Sequence, residues 1–200
     1  MNDSEKRSYA LGCDIGNNFK SMHLTIEKDS FAQGVIDAIN GKCALTNEEL
    51  SHQFELINKE IEANHKKELA AETEKGRAFL AENKTKEGVK ETKSGLQYKV
   101  VKMGDGEKPK ATDIVKVHYH GTLIDGTVFD SSVERGEAIE FPLNRVIAGW
   151  TEGLQLMPIG SKFIFYIPSE LAYGEQSPSP IIKPNSTLIF EVELLGIKKS

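Results

Sequence analysis

Apolar residues in the N-terminal half of the chain recur every three to four positions, which is the period of an amphipathic helix. One stripe lies in a first helix and consists of Leu11, Ile15 and Phe19. A second stripe lies in a short helix that fits residues 29–40 and consists of Phe31, Val35 and Ile39. Gly41 follows at a position where glycine commonly ends a helix. The pattern predicts two short helices, each with one apolar face.

A third, much longer helix is predicted over residues 47–83. Thr46 and Glu49 form a capping-box pattern at its start. Its apolar stripe consists of Leu50, Phe54, Ile57 and Ile61. The following turns are polar on all sides, which is typical of a solvent-bridging arm, and the whole helix would be about 55 Å long. A disordered linker is the alternative, since Gly76 weakens a helix, although Phe79 favours order.

The helical half has too little apolar material for a core that covers both of its stripes. Ala10, Gly12 and Gly16 lie beside the first stripe, and residues this small let another helix approach closely. Small domains of this size are marginal unless something else covers them, and twofold dimers are the commonest homo-oligomers. The sequence therefore predicts a homodimer that forms through the N-terminal helices.

The period changes to two near residue 90, which indicates β-strands with one buried face. The strand-like segments are residues 96–101, 114–123, 162–167 and 187–197. One short helix fits residues 145–154. Several strands with one helix predict an antiparallel α+β half. We therefore expect a helical dimerisation domain with its linker helix over residues 1–90, and a separate domain over residues 91–200.

Composition and charge narrow the class of protein. The formal net charge is −5, which disfavours a nucleic-acid binder. No stretch approaches the roughly 18 apolar residues of a membrane span. The first residues lack the apolar core of a signal peptide, so we expect a cytoplasmic protein, or a periplasmic one if a leader peptide is missing from this sequence. Cys13 and Cys43 are expected to be free, buried thiols, with a disulfide as the alternative.

The sequence contains none of the common motifs for a nucleophile, a phosphate loop or a metal site, so neither a metal nor a cofactor is expected. His118 and His120 face one side of a strand, but two histidines make an incomplete metal site and a solvated strand face is the preferred interpretation. The C-terminal half is instead rich in large apolar residues near its turns: Tyr119, Phe129, Phe141, Val146, Ile147, Trp150, Tyr173, Ile182 and Phe190. Taken alone, they indicate the core of a small sheet domain, and Asp130 a turn residue.

Four blocks of sequence add a more specific interpretation. They read VHYHGTLIDGTVFDSS from Val117, VIAGWTEG from Val146, AYG from Ala172 and LIFEVELL from Leu188. In this order and spacing they resemble the signature of FKBP-type peptidyl-prolyl cis-trans isomerases, and the resemblance covers residues 95–198. The N-terminal half, with its Ser-Tyr-Ala-Leu-Gly opening and long arm, is similar to the bacterial macrophage-infectivity-potentiator branch, whose members are V-shaped dimers joined through their N-terminal helices.

The resemblance implies a half-open antiparallel sheet wrapped around one short helix, with a shallow apolar pocket between them. Trp150 would form the floor of this pocket. Its walls would be Tyr119, Phe129, Phe141, Val146, Ile182 and Phe190. Tyr173 would offer its hydroxyl, and the backbone N–H of Ile147 would receive a substrate carbonyl. Asp130 would sit at the reacting amide, paired with Arg135, so that catalysis would rest on Asp130, Tyr173, Phe129 and Tyr119.

The function that this resemblance implies is acceleration of X-Pro isomerisation during protein folding, together with chaperone activity. The partners would be proline-containing unfolded polypeptides, and macrolides of the rapamycin class. Rotation about the amide breaks no bond to another atom, so the chemistry needs no nucleophile or metal. One alternative is a dimeric peptide-binding chaperone with little catalytic role. Another is a structural adaptor without activity, which the joint presence of the pocket residues disfavours.

Three positions depart from the family pattern. Ile139 stands where an aromatic residue is common, and the stretch over residues 143–146 is shorter than in single-domain eukaryotic members. The loop over residues 175–184 carries Gln-Ser-Pro-Ser-Pro in place of the usual glycine and histidine. We therefore expect the rim of the pocket to differ from that of other members, and with it the peptide preference and macrolide affinity.

Overall fold

The computed structural model describes residues 1–199. The chain divides into two compact units, Met1–Glu68 and Leu69–Ser200. The expected domain boundary near residue 90 stays a prediction, because compactness alone does not test which part folds independently. No helix within residues 1–199 combines the length and the hydropathy that a membrane crossing requires.

Unit 1 contains helix α1 (Asp3–Ser21), helix α2 (Lys28–Ile39) and the first turns of helix α3 (Asn47–Asn83). The predicted capping box at the start of α3 is present, since the Glu49 backbone N–H donates to Thr46 Oγ1 at 3.2 Å and the Thr46 N–H donates to Glu49 Oε2 at 2.8 Å. The long helix predicted from the sequence is therefore confirmed, with the same first and last residues.

The helices of unit 1 leave their apolar faces open. No residue of α1 or α2 is buried, and Leu11 and Ile39 are 67% and 80% exposed. Phe19 and Phe31 pack edge to face, with their ring centroids 5.1 Å apart. The expectation that Cys13 and Cys43 are buried is wrong within one chain, because both thiols are free and exposed. The physical reason is that three helices of this length do not enclose a core.

Unit 2 is built on a seven-stranded sheet in which every pairing is antiparallel. Its strands are β1 (Val89–Glu91), β2 (Gln97–Lys102), β3 (Ile114–Leu123), β4 (Val128–Ser131), β5 (Ile139–Pro142), β6 (Lys162–Ile167) and β7 (Leu188–Lys198). The order is β1-β2-β6-β7-β3-β4, and β5 also pairs with β3. The N-terminal part of β3 pairs with β5 and its C-terminal part with β4, so two short strands share one edge of β3. The predicted α+β fold with an open antiparallel sheet is confirmed.

Two further helices complete unit 2. Helix α4 (Ser132–Arg135) lies between β4 and β5, and helix α5 (Ala148–Leu154) follows a 3₁₀ turn over Leu143–Arg145. Helix α5 lies very close to strand β6, because a Cβ on Gly149 would approach Ile167 to 2.5 Å and one on Gly153 would approach Phe165 to 2.6 Å. The glycines of the Val146–Gly153 block therefore allow this helix to pack directly against the sheet.

The last turns of α3 belong to unit 2 and are not a bare arm. Gly76 and Asn83 are buried, and the Phe79 and Tyr166 rings lie 6.0 Å apart. The Asn83 side-chain amide donates to Gln97 Oε1 at 2.9 Å. The expectation of a solvent-bridging arm is therefore wrong for these turns. Apart from the Phe79 ring, these contacts are made by amides and a glycine, so no apolar stripe marks them in the sequence.

Candidate active site

A cavity of about 530 Å³ opens between helix α5 and the sheet of unit 2. Its lining includes all ten residues that the sequence assigns to the site: Tyr119, Phe129, Asp130, Phe141, Val146, Ile147, Trp150, Tyr173, Ile182 and Phe190. These residues are widely separated along the chain. The antiparallel pairing of β3 with β4, β5 and β7 brings several of them to one face.

Gly121 provides the space that two of the aromatic walls occupy. It lies on β3 opposite Asp130 of β4 and Phe190 of β7. A Cβ at this position would approach a ring carbon of Phe129 to 2.8 Å and one of Phe190 to 2.9 Å. Any larger residue would displace these rings, so the glycine of the Val117–Ser132 block determines the shape of the cavity wall.

Trp150 is the centre of an aromatic cluster at the base of the cavity. Its ring lies 5.3 Å from Tyr119, 5.3 Å from Phe141 and 5.0 Å from Phe190, measured between centroids. The contacts with Tyr119 and Phe190 are edge to face, which is a favourable arrangement for aromatic pairs. Only 5% of the Trp150 surface is exposed. The base of the cavity is therefore largely apolar and shielded from water.

The polar wall is formed by Tyr119 and Asp130, and Arg135 joins them in a three-residue cluster from outside the lining. The Tyr119 hydroxyl donates a hydrogen bond to Asp130, and Arg135 forms an ion pair with the other oxygen of the same carboxylate. Arg135 also donates to the Tyr119 oxygen at 2.9 Å. The pairing of Arg135 with Asp130 that the sequence predicted is confirmed. Each member of the cluster is held by the other two, so the carboxylate is oriented before any substrate arrives.

The same contacts determine the protonation states in the cluster. Burial works against the charge on Asp130, but the hydrogen bonds from Tyr119 and Arg135 outweigh it and hold the pKa of the carboxyl below its ordinary value. Burial, followed by the hydrogen bond to Asp130, raises the pKa of Tyr119 above its ordinary value. Near neutral pH the cavity therefore contains a charged carboxylate and a neutral phenol.

Besides the Trp150 indole N–H and the Arg145 guanidinium, two donors at the cavity are not used by the protein itself. The backbone N–H of Ile147, directly before helix α5, and the hydroxyl of Tyr173 donate to no group within residues 1–199. Burial raises the pKa of Tyr173, and the nearby charge of Asp130 adds to the effect, so this hydroxyl keeps its proton. Both groups are free to donate to a carbonyl oxygen of a bound peptide.

Four further residues line the cavity: Ile139, Arg145, Pro178 and Ser179. All four lie where the sequence departs from the family pattern, since Arg145 belongs to the shortened stretch over residues 143–146. That departure did not by itself mark Arg145 as a lining residue. The loop with Pro178 and Ser179 is held by the Ser177 hydroxyl, which donates to the Ile182 carbonyl at 2.7 Å and to the Ser179 carbonyl at 2.9 Å.

The two histidines of strand β3 lie outside this cavity. His118 Nδ1 lies 3.1 Å from Ser132 Oγ, and His120 Nδ1 lies 2.9 Å from Ser131 Oγ. Within residues 1–199, no group of three or more histidine, cysteine, aspartate or glutamate side chains is arranged to hold a metal ion. The histidines therefore contribute to the packing of α4 against β3 through its serines.

Two family models match the chain, one in each half. Residues 4–100 match the domain amino-terminal to FKBP-type peptidyl-prolyl isomerase, and residues 105–195 match the FKBP-type peptidyl-prolyl cis-trans isomerase. Together the two matches reach from the start of α1 into the last strand.

Several proteins are similar to this chain over nearly its whole length. The FKBP-type peptidyl-prolyl cis-trans isomerase FkpA of Aeromonas hydrophila is 48% identical, over 98% of this chain and 76% of its own length. The FKBP-type 22 kDa peptidyl-prolyl cis-trans isomerase of Escherichia coli (strain K12) is 46% identical, over 95% of this chain and 93% of its own. The crystal structure of FkpA from Escherichia coli matches with a TM-score of 0.79 at 40% identity, and covers 100% of this chain and 98% of that one.

A further relative bears on location. The outer membrane protein MIP of Legionella longbeachae is 43% identical over 99% of this chain and 87% of its own length. None of these comparisons supports the cytoplasmic location that the N-terminal sequence suggested.

The comparisons exclude the structural adaptor as the main interpretation, because the relatives are named as isomerases and resemble this chain along almost its full length. The chain is an enzyme that acts on the X-Pro bonds of polypeptides, and it belongs to the family of FKBP-type peptidyl-prolyl cis-trans isomerases.

Proposed function

We propose that isomerisation takes place in the cavity over Trp150, with the proline ring of the substrate seated on the indole. The observation that carries this proposal is the meeting of an aromatic floor, a fixed carboxylate and two unused donors in one cavity. Ile147 would donate its N–H to a substrate carbonyl, and Tyr173 would donate its hydroxyl. Asp130 would lie at the reacting amide.

This arrangement suits a reaction in which no bond to another atom is made. The barrier is the loss of amide resonance, at about 20 kcal/mol. A twisted amide has less charge separation than a planar one, so a dry aromatic cavity favours it relative to water. Donors that are fixed before binding can favour the twisted geometry without reorganising. A 10⁵-fold acceleration requires about 7 kcal/mol, which burial of the proline ring and two hydrogen bonds can supply.

Replacement of Asp130 and Phe129 tests these roles. Asp130→Leu and Phe129→Ala should each lower kcat/KM for short X-Pro peptides by at least about tenfold, or roughly 1.4 kcal/mol, while the circular dichroism spectrum is retained. Asp105→Leu is the matched control, because Asp105 is an exposed loop residue outside the cavity. Unchanged rates in both folded cavity variants would remove the assignment of the site.

The proposal extends to a homodimer through the helices of unit 1. The support is the row of apolar side chains that one chain leaves uncovered, including Leu11, Phe31 and Val35, at 67%, 38% and 41% exposure. Soluble monomers rarely expose such contiguous apolar surface without a partner. A second copy of this chain is the occupant, because it brings an equal apolar face and self-complementary twofold contacts are common.

The oligomeric state tests the dimer directly. Light scattering at micromolar concentration should give twice the mass of one chain for the wild type. Ile15→Asn combined with Phe19→Asn should give the mass of one chain, whereas Asn17→Ser, on the opposite side of α1, should leave the dimer intact. A wild-type monomer at this concentration would rule the arrangement out.

Chaperone activity is part of the same proposal, because a dimer offers two cavities to one unfolded chain and the second contact is then effectively intramolecular. The alternative is a dimeric peptide-binding chaperone with little catalytic role, whose two cavities and cleft would hold unfolded chains. The two are separated by Asp130→Leu. If catalysis drives the refolding of proline-limited proteins, this variant should lose that effect but still suppress aggregation. Full refolding activity in a variant without peptide turnover would favour the alternative.

Macrolides of the rapamycin class are proposed ligands of the same cavity. The support is its size, about 530 Å³, and its aromatic lining. Rapamycin should inhibit peptide turnover in a competitive manner. Inhibition that persists unchanged in Phe129→Ala would show that the macrolide binds elsewhere.

We also propose a site of action outside the cytoplasm, and the support is that the Legionella relative is named an outer membrane protein. Fractionation of the source cells with an antibody against this chain should recover the protein with the cell envelope or the periplasm. Recovery in the cytoplasmic fraction alone would overturn this location.

A further inference from the structure

Asp130 and Arg145 are the charged side chains that line the cavity, and they differ in whether a group of opposite charge lies beside them. Asp130 is paired with Arg135 and accepts a hydrogen bond from Tyr119. The guanidinium of Arg145 forms no ion pair or hydrogen bond with any group in the described part of the chain. The cavity therefore has one neutralised anion and one uncompensated cation.

The backbone that carries Arg145 is held firmly in place. Leu143, two residues earlier, is fully buried, and its N–H donates to the Asp113 carbonyl at 3.0 Å. The Leu143 carbonyl accepts a hydrogen bond of 2.7 Å from the Thr151 hydroxyl of helix α5. Arg145 is the last residue of this 3₁₀ turn and is exposed. Its long side chain thus starts from a fixed point at the mouth of the cavity.

The position of Arg145 relative to the substrate follows from the proposed active site, on which this inference rests. When the carbonyl of the proline itself accepts from the N–H of Ile147, the next residue of the substrate begins at that hydrogen bond, since its nitrogen is bonded to the same carbonyl carbon. Only Val146 separates Ile147 from Arg145. We propose that Arg145 is a specificity-determining residue, which favours substrates with an acidic side chain immediately after the proline.

Because Arg145 is exposed, the preference for an acidic residue that it can produce is small. Ion pairs in contact with water are weak and are screened by salt, although a guanidinium can hold a carboxylate by two parallel hydrogen bonds. We expect kcat/KM for a Pro-Glu peptide to exceed that for the Pro-Gln peptide by about two- to fivefold. The formal net charge of −5 repels acidic peptides, so the whole-molecule charge predicts the opposite order.

Peptides that differ only in the residue after the proline test this inference. Glu, Gln and Lys at this position are compared with the full-length protein at low and high salt. The wild type should rank them Glu above Gln above Lys, through KM rather than kcat, and the ranking should fade at about 1 M salt. Arg145→Gln should bring the Glu-to-Gln ratio close to one, and Arg145→Glu should reverse the order.

A matched control uses Arg77→Gln, which removes the same charge from an exposed position of α3 outside the cavity and should preserve the ratio. A peptide with Glu before the proline should show no dependence on Arg145. A wild-type ratio of one, or a ratio that survives Arg145→Gln in a protein with native circular dichroism, would overturn the inference. Turnover unaffected by Asp130→Leu would instead overturn the proposed active site, whatever the ratio.

Discussion

Substitution of Gly76 by alanine should destabilise unit 2, although alanine is the better helix former. An ideal Cβ at this position would lie 2.4 Å from Oγ1 and 3.5 Å from Cβ of Thr187. Thr187 is 3% exposed, so its side chain has little free space into which to rotate. Overpacking of this kind costs about 1–3 kcal/mol, whereas Gly to Ala in a helix gains about 1 kcal/mol. The expected net loss is about 1 kcal/mol.

Differential scanning calorimetry measures this loss as a fall of about 3–5 °C in the transition of unit 2. Thr187→Ala in the same chain removes the clashing oxygen, so Gly76→Ala should cost less, or even stabilise, in that background. Gly34→Ala, in helix α2 of unit 1, is the control, because a Cβ at Gly34 meets nothing within 4 Å and the transition of unit 2 should stay where it is. If Gly76→Ala raises the transition temperature of unit 2, the packing of α3 against Thr187 is refuted.

Three further predictions concern the extent of unit 2 and its polar cluster. A fragment of residues 69–200 should melt at a higher temperature than one of residues 94–200, because only the longer one keeps strand β1 and the turns of α3 that pack on the sheet. Equal melting temperatures would contradict this. The pKa of Asp130 is lowered and that of Tyr119 is raised, so neither group should titrate between about pH 5 and about pH 9, and kcat/KM should be flat over this range. A change of kcat/KM within the range would refute the assigned protonation states. Arg135→Gln removes a group that lowers the pKa of Asp130, so kcat/KM should fall roughly three- to tenfold and the acid limb of its pH profile should move to higher pH. An acid limb at the wild-type pH would show that Arg135 does not act through Asp130.

The regular part of the fold was accessible from the sequence because its signals are local. The capping box at Thr46 and the period of two in β3 depend only on neighbouring residues, and both were confirmed. Strands β1, β4 and β5 have three or four residues each, too few for a period to be visible. The docking of the last turns of α3 escaped prediction because Asn83 and Gln97 bond to each other, a contact between polar residues that no hydrophobic pattern encodes.

The candidate site, like the fold, could be predicted from the sequence only in part. Periodicity alone indicated a core, and this was partly correct, since Tyr119, Trp150 and Phe190 belong both to the core and to the cavity lining. The family motifs were needed to separate wall from core. Arg145 could not be identified from the sequence, because its proposed role depends on a turn that the buried Leu143 positions at the cavity mouth, and on the lack of an ion-pair partner within residues 1–199.

Trp150 gives the protein an optical property that follows from its place in the fold. It is the single tryptophan of the chain, and it forms the base of the cavity in unit 2. Intrinsic tryptophan emission therefore arises at the base of the proposed substrate cavity and nowhere else, so occupancy of that cavity should be measurable without a label. Tryptophan emission does not report on the helices of unit 1, whereas these helices dominate the far-ultraviolet circular dichroism signal. Two spectroscopic signals from an unmodified chain thus separate the melting of the helical half from that of the isomerase half.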